Sequence, residues 1–112
     1  MAALLAIQLL DETEDEVRAQ VPVTDSLCQP LGLVHGGVYA TLADALTAKA
    51  GRTVSNQTSF LRPITNGTIH ATARRRHAGR TTTVWEVDIT YDLGRLCAIV
   101  RTTVYPVAVA GP

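Results

Sequence analysis

The stretch that decides the fold is residues 28–50, which read CQPLGLVHGGVYATLADALTAKA. Its spacing of apolar residues predicts a helix from Gly36 to Ala50, which Gly51 ends. Backbone N–H groups at the start of a helix lack intrahelical partners. At Gly36 and Gly37 no Cβ atom would keep an anionic oxygen away from those groups. The start of this helix is therefore a candidate oxyanion hole.

The predicted helix has two different sides. One side is apolar and should pack on a sheet; it consists of Val38, Leu42, Ala45, Leu46 and Lys49. The other side is small and polar, so a second backbone or a slender ligand can come close to it; it consists of Gly37, Ala40, Thr41, Asp44, Thr47 and Ala48. Asp44 is the one carboxylate on this helix and is a candidate base or nucleophile.

Composition favours one folded domain over residues 1–112, with 46% hydrophobic and 18% charged residues. Only 4% of the residues are aromatic, so the core should consist mainly of Ala, Val, Leu and Ile. Lys and Arg together number 10, as do Asp and Glu, so no overall charge recruits nucleic acid or a membrane surface. A domain this small favours oligomerisation.

Two cysteines, Cys28 and Cys97, stand without a close-spaced Cys or His partner. This spacing argues against a zinc site and fits reduced thiols in the cytoplasm, so we expect neither a disulfide nor a metal. The apolar segment from Ala2 to Leu10 is too short to span a bilayer and is predicted to be a buried first strand.

The remaining elements are predicted to be strands. Leu4–Leu10 and Glu16–Val23 flank an acidic turn and should form a hairpin, in which Val17, Ala19, Val21 and Val23 share one face of the second strand. After the helix, turn residues at 63–67, 77–80 and 92–95 separate four strands, predicted to form an antiparallel meander. The alternation from Trp85 to Tyr91 indicates a strand with one buried and one solvent-exposed face. The last strand should span Leu96–Tyr105. This order predicts an α+β fold in which a long curved antiparallel sheet wraps around one central helix.

That order and three short motifs resemble the hotdog-fold acyl-CoA thioesterases over nearly the whole chain: Gln29-Pro30-Leu31-Gly32, His35-Gly36-Gly37 and Leu42-Ala43-Asp44. Within that family the chain is most similar to the PaaI and hydroxybenzoyl-CoA thioesterase group. The branch that it resembles most includes the dihydroxynaphthoyl-CoA and enterobactin-proofreading thioesterases. It shares Leu61-Arg62-Pro63, Gly79-Arg80 and Arg95-Leu96-Cys97 with that branch.

The resemblance implies a role for each matching residue. The Gly36 N–H would polarise the thioester carbonyl, Gln29 would help to hold it, and Asp44 would be the catalytic carboxylate. His35 would support the loop before the helix or the thioester sulfur. The substrate would further meet Gly37, Thr47, Thr53, Arg62 and Arg80, with Thr47 or Thr53 orienting the water and the two arginines meeting the phosphates of coenzyme A.

Helix geometry indicates that the site needs two subunits. Gly36 and Asp44 are eight positions apart, which corresponds to roughly 12 Å along a helix axis. One carbonyl carbon cannot contact both residues of a single chain at that separation. We therefore expect Gly36 and Gln29 of one protomer to face Asp44 of its partner, in a homodimer or a dimer of dimers.

The sequence thus predicts a thioesterase that hydrolyses an aryl- or hydroxyaryl-CoA, with coenzyme A as part of the substrate and no other cofactor. One alternative is an enoyl-thioester hydratase or dehydratase of the same fold, with His35 and Asp44 as its catalytic pair. Another is a catalytically weak acyl-CoA-binding protein, which the replacement of a common Ser or Thr by Ala48 favours. The basic run at Arg74–Arg76 need not form one patch, because neighbours in a strand point to opposite faces.

Overall fold

In the computed structural model, which describes residues 5–92 and 94–106, a six-stranded antiparallel sheet packs against one long helix. The elements in chain order are β1 (Gln8–Glu12), β2 (Glu16–Pro22), α1 (Gly36–Thr47), β3 (Arg52–Phe60), β4 (Thr68–Ala78), β5 (Thr83–Thr90) and β6 (Leu96–Tyr105). Short 3-10 turns at Asp25–Leu27 and Ala48–Ala50 precede and follow α1. None of the described helices is long and apolar enough to cross a lipid bilayer.

The strands lie in the order β1-β2-β4-β5-β6-β3. The predicted N-terminal hairpin and the meander from β4 to β6 are confirmed. The prediction that β3 begins this meander is wrong, because β3 pairs with β6 at the far edge of the sheet. The residues after β3 then return to β4, and the Leu61 and Arg62 backbone N–H groups donate to the Cys97 carbonyl at the start of this return. Alternation within a strand predicts its faces but not its neighbours.

The first strand is exposed, whereas the sequence predicts that it is buried. Every residue of β1 is exposed, and Leu9 and Leu10 are 56% and 51% exposed. The reason is its place at the sheet edge, where it pairs with β2 alone. Leu5 and Ile7, which precede β1, supply the contacts of this segment with the core. The part of the prediction that falls on residues 1–4 lies outside the described residues.

The predicted apolar faces of β2 and β5 are confirmed as core. Their inward side chains are almost fully buried: Val17, Ala19, Val21, Trp85, Val87 and Ile89. Outward residues of β4 and β5 form ion pairs, with Arg74 next to Asp88 and Arg76 next to Glu86. Arg75 points to the opposite face and pairs with Asp15, so the basic run is divided as predicted.

The helix buries a somewhat different side from the one predicted. Val38, Leu42 and Leu46 are buried as expected, whereas Ala45 and Lys49 are exposed. Lys49 leaves the core because its Nζ donates to the Thr13 carbonyl at 2.7 Å. The helical region ends where predicted, since Gly51 adopts a φ of 136° that favours glycine.

Candidate active site

A cavity of about 380 Å³ opens at the N-terminus of α1. Three of the predicted site residues, Gln29, Gly36 and Arg62, line it although they come from different segments of the chain. The rest of its lining is apolar or aromatic and consists of Leu33, Val34, Tyr39, Phe60, Leu61 and Pro63. Such a mixture, apolar walls with a few converging polar groups, is typical of a small-molecule site.

A tight turn holds Gln29 beside the start of the helix. The Gly32 N–H donates to the Gln29 carbonyl at 2.9 Å, and Gly32 has a φ of 85°. Pro30 occupies the second position of this turn, where its fixed φ is favourable. The Gln29 N–H donates to the Leu33 carbonyl at 2.8 Å, which closes the loop. The Gln-Pro-Leu-Gly sequence therefore forms a turn that positions Gln29.

His35 caps the helix. Its Nδ1 accepts the backbone N–H of Gly37 at 3.2 Å, and its carbonyl accepts the N–H of Val38 at 2.9 Å. The expectation that both glycines offer donors to a substrate is therefore corrected, because the Gly37 N–H is occupied. The Gly36 N–H has no hydrogen-bond partner among the described residues and is the available donor at this cavity.

Two aromatic residues that the sequence reasoning missed form part of the cavity wall. Phe60 is 63% exposed, and its ring lies against the Cα of Gly36, so that a Cβ on Gly36 would come within 2.9 Å of it. The ring of Tyr39 lies beside it, with 6.2 Å between ring centroids. Burial raises the pKa of Tyr39 to about 12, so its phenol is neutral near pH 7. Phe60 could have been found as the only phenylalanine of the chain, directly before Leu61-Arg62-Pro63.

Asp44 lies outside this cavity. It is exposed on α1, eight positions after Gly36, and is not among the residues that line the cavity. The side chain of Asn56 on β3 donates to the Ala40 carbonyl at 3.0 Å, one turn before Asp44. The exposed side of the helix that carries Asp44 therefore lies near the free edge strand β3.

The threonines predicted to orient water are not at this cavity. Thr47 is fully buried, and its hydroxyl donates to the Ala43 carbonyl at 2.9 Å. Its predicted place on the open side of the helix is thus wrong, because this hydroxyl satisfies its own helix and also accepts from Thr102. Thr53 is half-buried at the other end of β3 from Phe60, opposite Val104.

The two predicted phosphate-binding arginines lie at opposite ends of the sheet. The Arg62 backbone is bonded to Cys97 at the start of β6, whereas Arg80 lies in the turn before Thr83, which pairs with Val104 near the end of β6. Cys97 and Val104 are seven positions apart in the strand, which corresponds to roughly 23 Å. Within one protomer the structure therefore does not bring Arg62 and Arg80 together.

Arg62 has a different neighbour, Arg95. Both arginines line two further cavities, of about 730 and 340 Å³, beside the cavity at the helix start. Neither guanidinium is paired with a carboxylate of the described residues, unlike Arg74 and Arg76. Burial raises the pKa of the nearby Cys97 thiol, and the two arginines oppose that shift. Arg95 stands in the sequence only as part of the Arg95-Leu96-Cys97 motif, which predicts no contact for it.

Comparison with known proteins points to one family. The sequence family described as "Acyl-CoA thioesterase N-terminal domain" matches residues 24–105. A mutant of thioesterase PA1618 from Pseudomonas aeruginosa is 30% identical, with 95% of this chain and 86% of that chain covered and a TM-score of 0.86. The PaaI protein from the phenylacetic acid degradation operon of Escherichia coli is 28% identical, with 96% and 83% covered and a TM-score of 0.87.

A candidate esterase of Mycobacterium tuberculosis, Rv1847, is similar over the same region. Its sequence is 34% identical over 107 residues, which cover 84% of this chain and 76% of that protein. Its solved structure superimposes with a TM-score of 0.86 and covers 95% of this chain and 94% of that chain. These similarities confirm the predicted fold class, a six-stranded antiparallel sheet with one central helix.

Proposed function

The chain belongs to the hotdog-fold acyl-CoA thioesterase family and is a thioester hydrolase, and on that premise we propose that its substrate is an aryl- or hydroxyaryl-CoA. The observation that carries this proposal is the cavity in which Gln29 and the Gly36 N–H, which none of the described residues accepts, meet two aromatic rings. An aromatic acyl group fits such a lining. Within the family, we assign the chain to the dihydroxynaphthoyl-CoA and enterobactin-proofreading branch on its shared sequence motifs.

The start of α1 supplies the hydrogen-bond donors that polarise the thioester carbonyl. The Gly36 N–H donates to the thioester oxygen, and this hydrogen bond strengthens as negative charge develops there in the tetrahedral intermediate. Gln29 offers a second, side-chain donor from the turn beside it. The cap on Gly37 by His35 keeps the first turn of the helix rigid, so the donor needs little reorganisation during the reaction.

Asp44 of the partner subunit supplies the carboxylate, which acts as a general base or as a nucleophile. As a general base, its carboxylate takes a proton from water while the water oxygen bonds to the carbonyl carbon, and the intermediate then expels the coenzyme A thiolate. As a nucleophile, the carboxylate oxygen bonds to the carbonyl carbon, the coenzyme A thiolate leaves, and water then cleaves the resulting mixed anhydride. In one protomer the roughly 12 Å along α1 keeps Asp44 away from the Gly36 cavity, which supports a site shared by two copies.

The free edge of the sheet supports a dimer. β3 spans 9 residues and, among the described strands, pairs with β6 alone. It has the exposed side chains of Val54 and Phe60, and its Asn56 side chain donates to the helix backbone one turn before Asp44. An unpaired strand edge of this length is suited to pairing with another chain. A twofold dimer built at β3 would bring the Asp44 side of each helix towards the other copy.

Arg62 is proposed to meet the phosphates of coenzyme A at the mouth of the cavity. It borders both the Gly36 cavity and the two cavities that it shares with Arg95, and it has no carboxylate partner in the described part of the chain. Guanidinium groups bind phosphate in a two-pronged geometry. Arg80 could act only from the partner, since it lies at the other end of the sheet.

The hydratase alternative is less well supported. A hydratase would use His35 as a catalytic base, but its Nδ1 already accepts the Gly37 N–H. Because Nδ1 accepts this hydrogen bond, the single proton of the neutral imidazole must lie on Nε2. The nitrogen that remains free is therefore a hydrogen-bond donor, not a base. Such a donor suits the sulfur of a leaving thiolate better than proton abstraction from carbon.

The shared site can be tested by mixing two inactive variants. Thiol release from benzoyl-CoA is measured for the parent, Gln29→Ala and Asp44→Ala, and then for the two variants after they are unfolded and refolded together. In a dimer with shared sites, half of the assemblies are mixed and each has one intact site. Activity should therefore return to about a quarter of the parent value. No recovery would place both residues in sites within one protomer, and no thiol release by the parent would refute the proposed substrate.

A further inference from the structure

We infer that Phe60 determines which acyl group the cavity accepts, by forming with Tyr39 a wall of two adjacent rings that selects flat aromatic groups over flexible aliphatic ones. This inference rests on the proposed function of the cavity and goes beyond it by naming the residue that sets the preference. No sequence motif or similarity assigns Phe60 a role.

The contact between Phe60 and Gly36 places the ring at the reacting end of the substrate. Its Cε1 and Cζ atoms lie 2.9 Å from the position that a Cβ on Gly36 would occupy. A group whose carbonyl is bound by the Gly36 N–H therefore has the Phe60 ring beside its acyl carbons. The absence of a side chain at Gly36 is what lets the ring come this close.

The two rings differ in exposure. Tyr39 is 3% exposed and packs in the core, so it forms a fixed wall. Phe60 is 63% exposed in a single protomer, at the end of the edge strand where the dimer is proposed, so its ring would lie at the shared site. With centroids 6.2 Å apart and ring planes at 46°, the pair is tilted rather than stacked. An aryl group in contact with both rings gains edge-to-face or offset contacts that an alkyl chain lacks.

The other residues that line the cavity do not favour aromatic over aliphatic acyl groups. Apart from Gln29 and Arg62, the side chains around the cavity are aliphatic or aromatic. The aliphatic ones, Leu33, Val34, Leu61 and Pro63, contact any apolar acyl group without a preference for planarity. Among the residues that line the cavity in one protomer, Phe60 and Tyr39 are therefore the ones that can discriminate between an aryl and an alkyl group of similar size, and Phe60 can be changed without disturbing the core.

The experiment compares kcat/KM for benzoyl-CoA and hexanoyl-CoA. Phe60→Leu should lower the benzoyl preference by about two- to tenfold, the range expected for one lost aromatic contact. Phe60→Tyr should keep the preference. Tyr105→Leu removes another exposed aromatic ring, at the far end of the sheet, and should leave the ratio unchanged. Thermal unfolding confirms that all variants are folded.

A ratio for Phe60→Leu equal to that of the parent would overturn the inference while leaving thioester hydrolysis intact. If the parent hydrolyses neither substrate, the proposed substrate class fails, and the inference is then tested on binding alone. The S-benzyl and S-hexyl thioethers of coenzyme A are stable probes for that purpose. Their ratio of dissociation constants should shift in Phe60→Leu by the same factor, and an unchanged ratio would again refute the role of Phe60.

Discussion

The imidazole of His35 accepts a hydrogen bond from the backbone N–H of Gly37, with 3.2 Å between Nδ1 and the peptide nitrogen. A helix that begins with two glycines could offer an anion two adjacent donors, but this cap occupies one of them. The remaining donor belongs to Gly36, which lines the cavity. In the proposed mechanism, the histidine of the His-Gly-Gly motif thus leaves the peptide N–H of Gly36 as the backbone donor for a substrate oxygen.

Replacing His35 separates its capping role from any role at the thioester sulfur. His35→Ala should lower the free energy of unfolding by about 1 kcal/mol, the usual effect of losing an N-cap side chain. His35→Asn should retain the cap and the stability but lacks the outward Nε2–H. Urea unfolding and kcat are measured for both. If Asn restores full kcat, the role of His35 is capping alone.

Asp44→Asn is expected to abolish turnover without affecting folding. The carboxylate is exposed, so its replacement by the isosteric amide should leave the free energy of unfolding within about 0.5 kcal/mol of the parent. Loss of a general base or nucleophile should lower kcat by about 100-fold or more. Asp25→Asn, at another exposed aspartate, is the matched control and should retain kcat. Equal kcat in parent and Asp44→Asn would rule out this carboxylate as the catalytic group.

Gly36→Ala should be coupled energetically to Phe60. The new methyl group meets the tip of the Phe60 ring at 2.9 Å, so the ring must move. We expect Gly36→Ala to destabilise the protein when Phe60 is present and much less in a Phe60→Ala background. A double-mutant cycle in urea should give a coupling of about 0.5–3 kcal/mol. If the effects of the two substitutions on the free energy of unfolding were additive, the Phe60 ring would move away from the new methyl group at no cost. It would then not form a fixed boundary of the oxyanion site.

The sequence predicted the elements well because hydrophobic period and turn residues are local signals. The start of β6 followed from the turn residues at 92–95, and the buried faces of β2 and β5 followed from alternation. Strand neighbours did not, because no local pattern records that β3 pairs with β6. The burial of Leu9 was overestimated for a similar reason: an apolar residue on an edge strand has the same local pattern as one in a central strand.

The candidate site was predictable only where a motif fixed a backbone shape. Gln29 and Gly36 meet because a Pro-Leu-Gly turn and a capped helix start are local structures. Phe60 and Arg95 approach that region through long-range strand pairing and were missed. Thr47 was misplaced because a threonine hydroxyl that bonds back to its own helix has the same helical spacing as one that faces solvent.

Arg62→Ala should weaken binding of the coenzyme A portion of the substrate. We expect KM for benzoyl-CoA to rise about tenfold, since a charge-assisted hydrogen bond to phosphate is lost. The benzoyl thioester of N-acetylcysteamine has no phosphate, so its kcat/KM should not change. Arg101→Ala is the control, because that arginine lies on the outer face near Glu86. A loss of activity that is equal for both substrates would contradict a phosphate contact.

Alkaline pH should destabilise the protein through Tyr39. Burial, with a smaller contribution from the thiolate of Cys97, raises its pKa from 10.0 to about 12 in the folded state. Between these values the folded chain binds more protons than the unfolded chain, so the free energy of unfolding falls as pH rises. The stabilisation is complete below pH 10 and is lost by about pH 12. Urea unfolding from pH 9 to 12 should show a steeper decline for the parent than for Tyr39→Phe, which keeps the ring but cannot ionise. Parallel declines would show that Tyr39 ionises as readily in the folded chain as in the unfolded one.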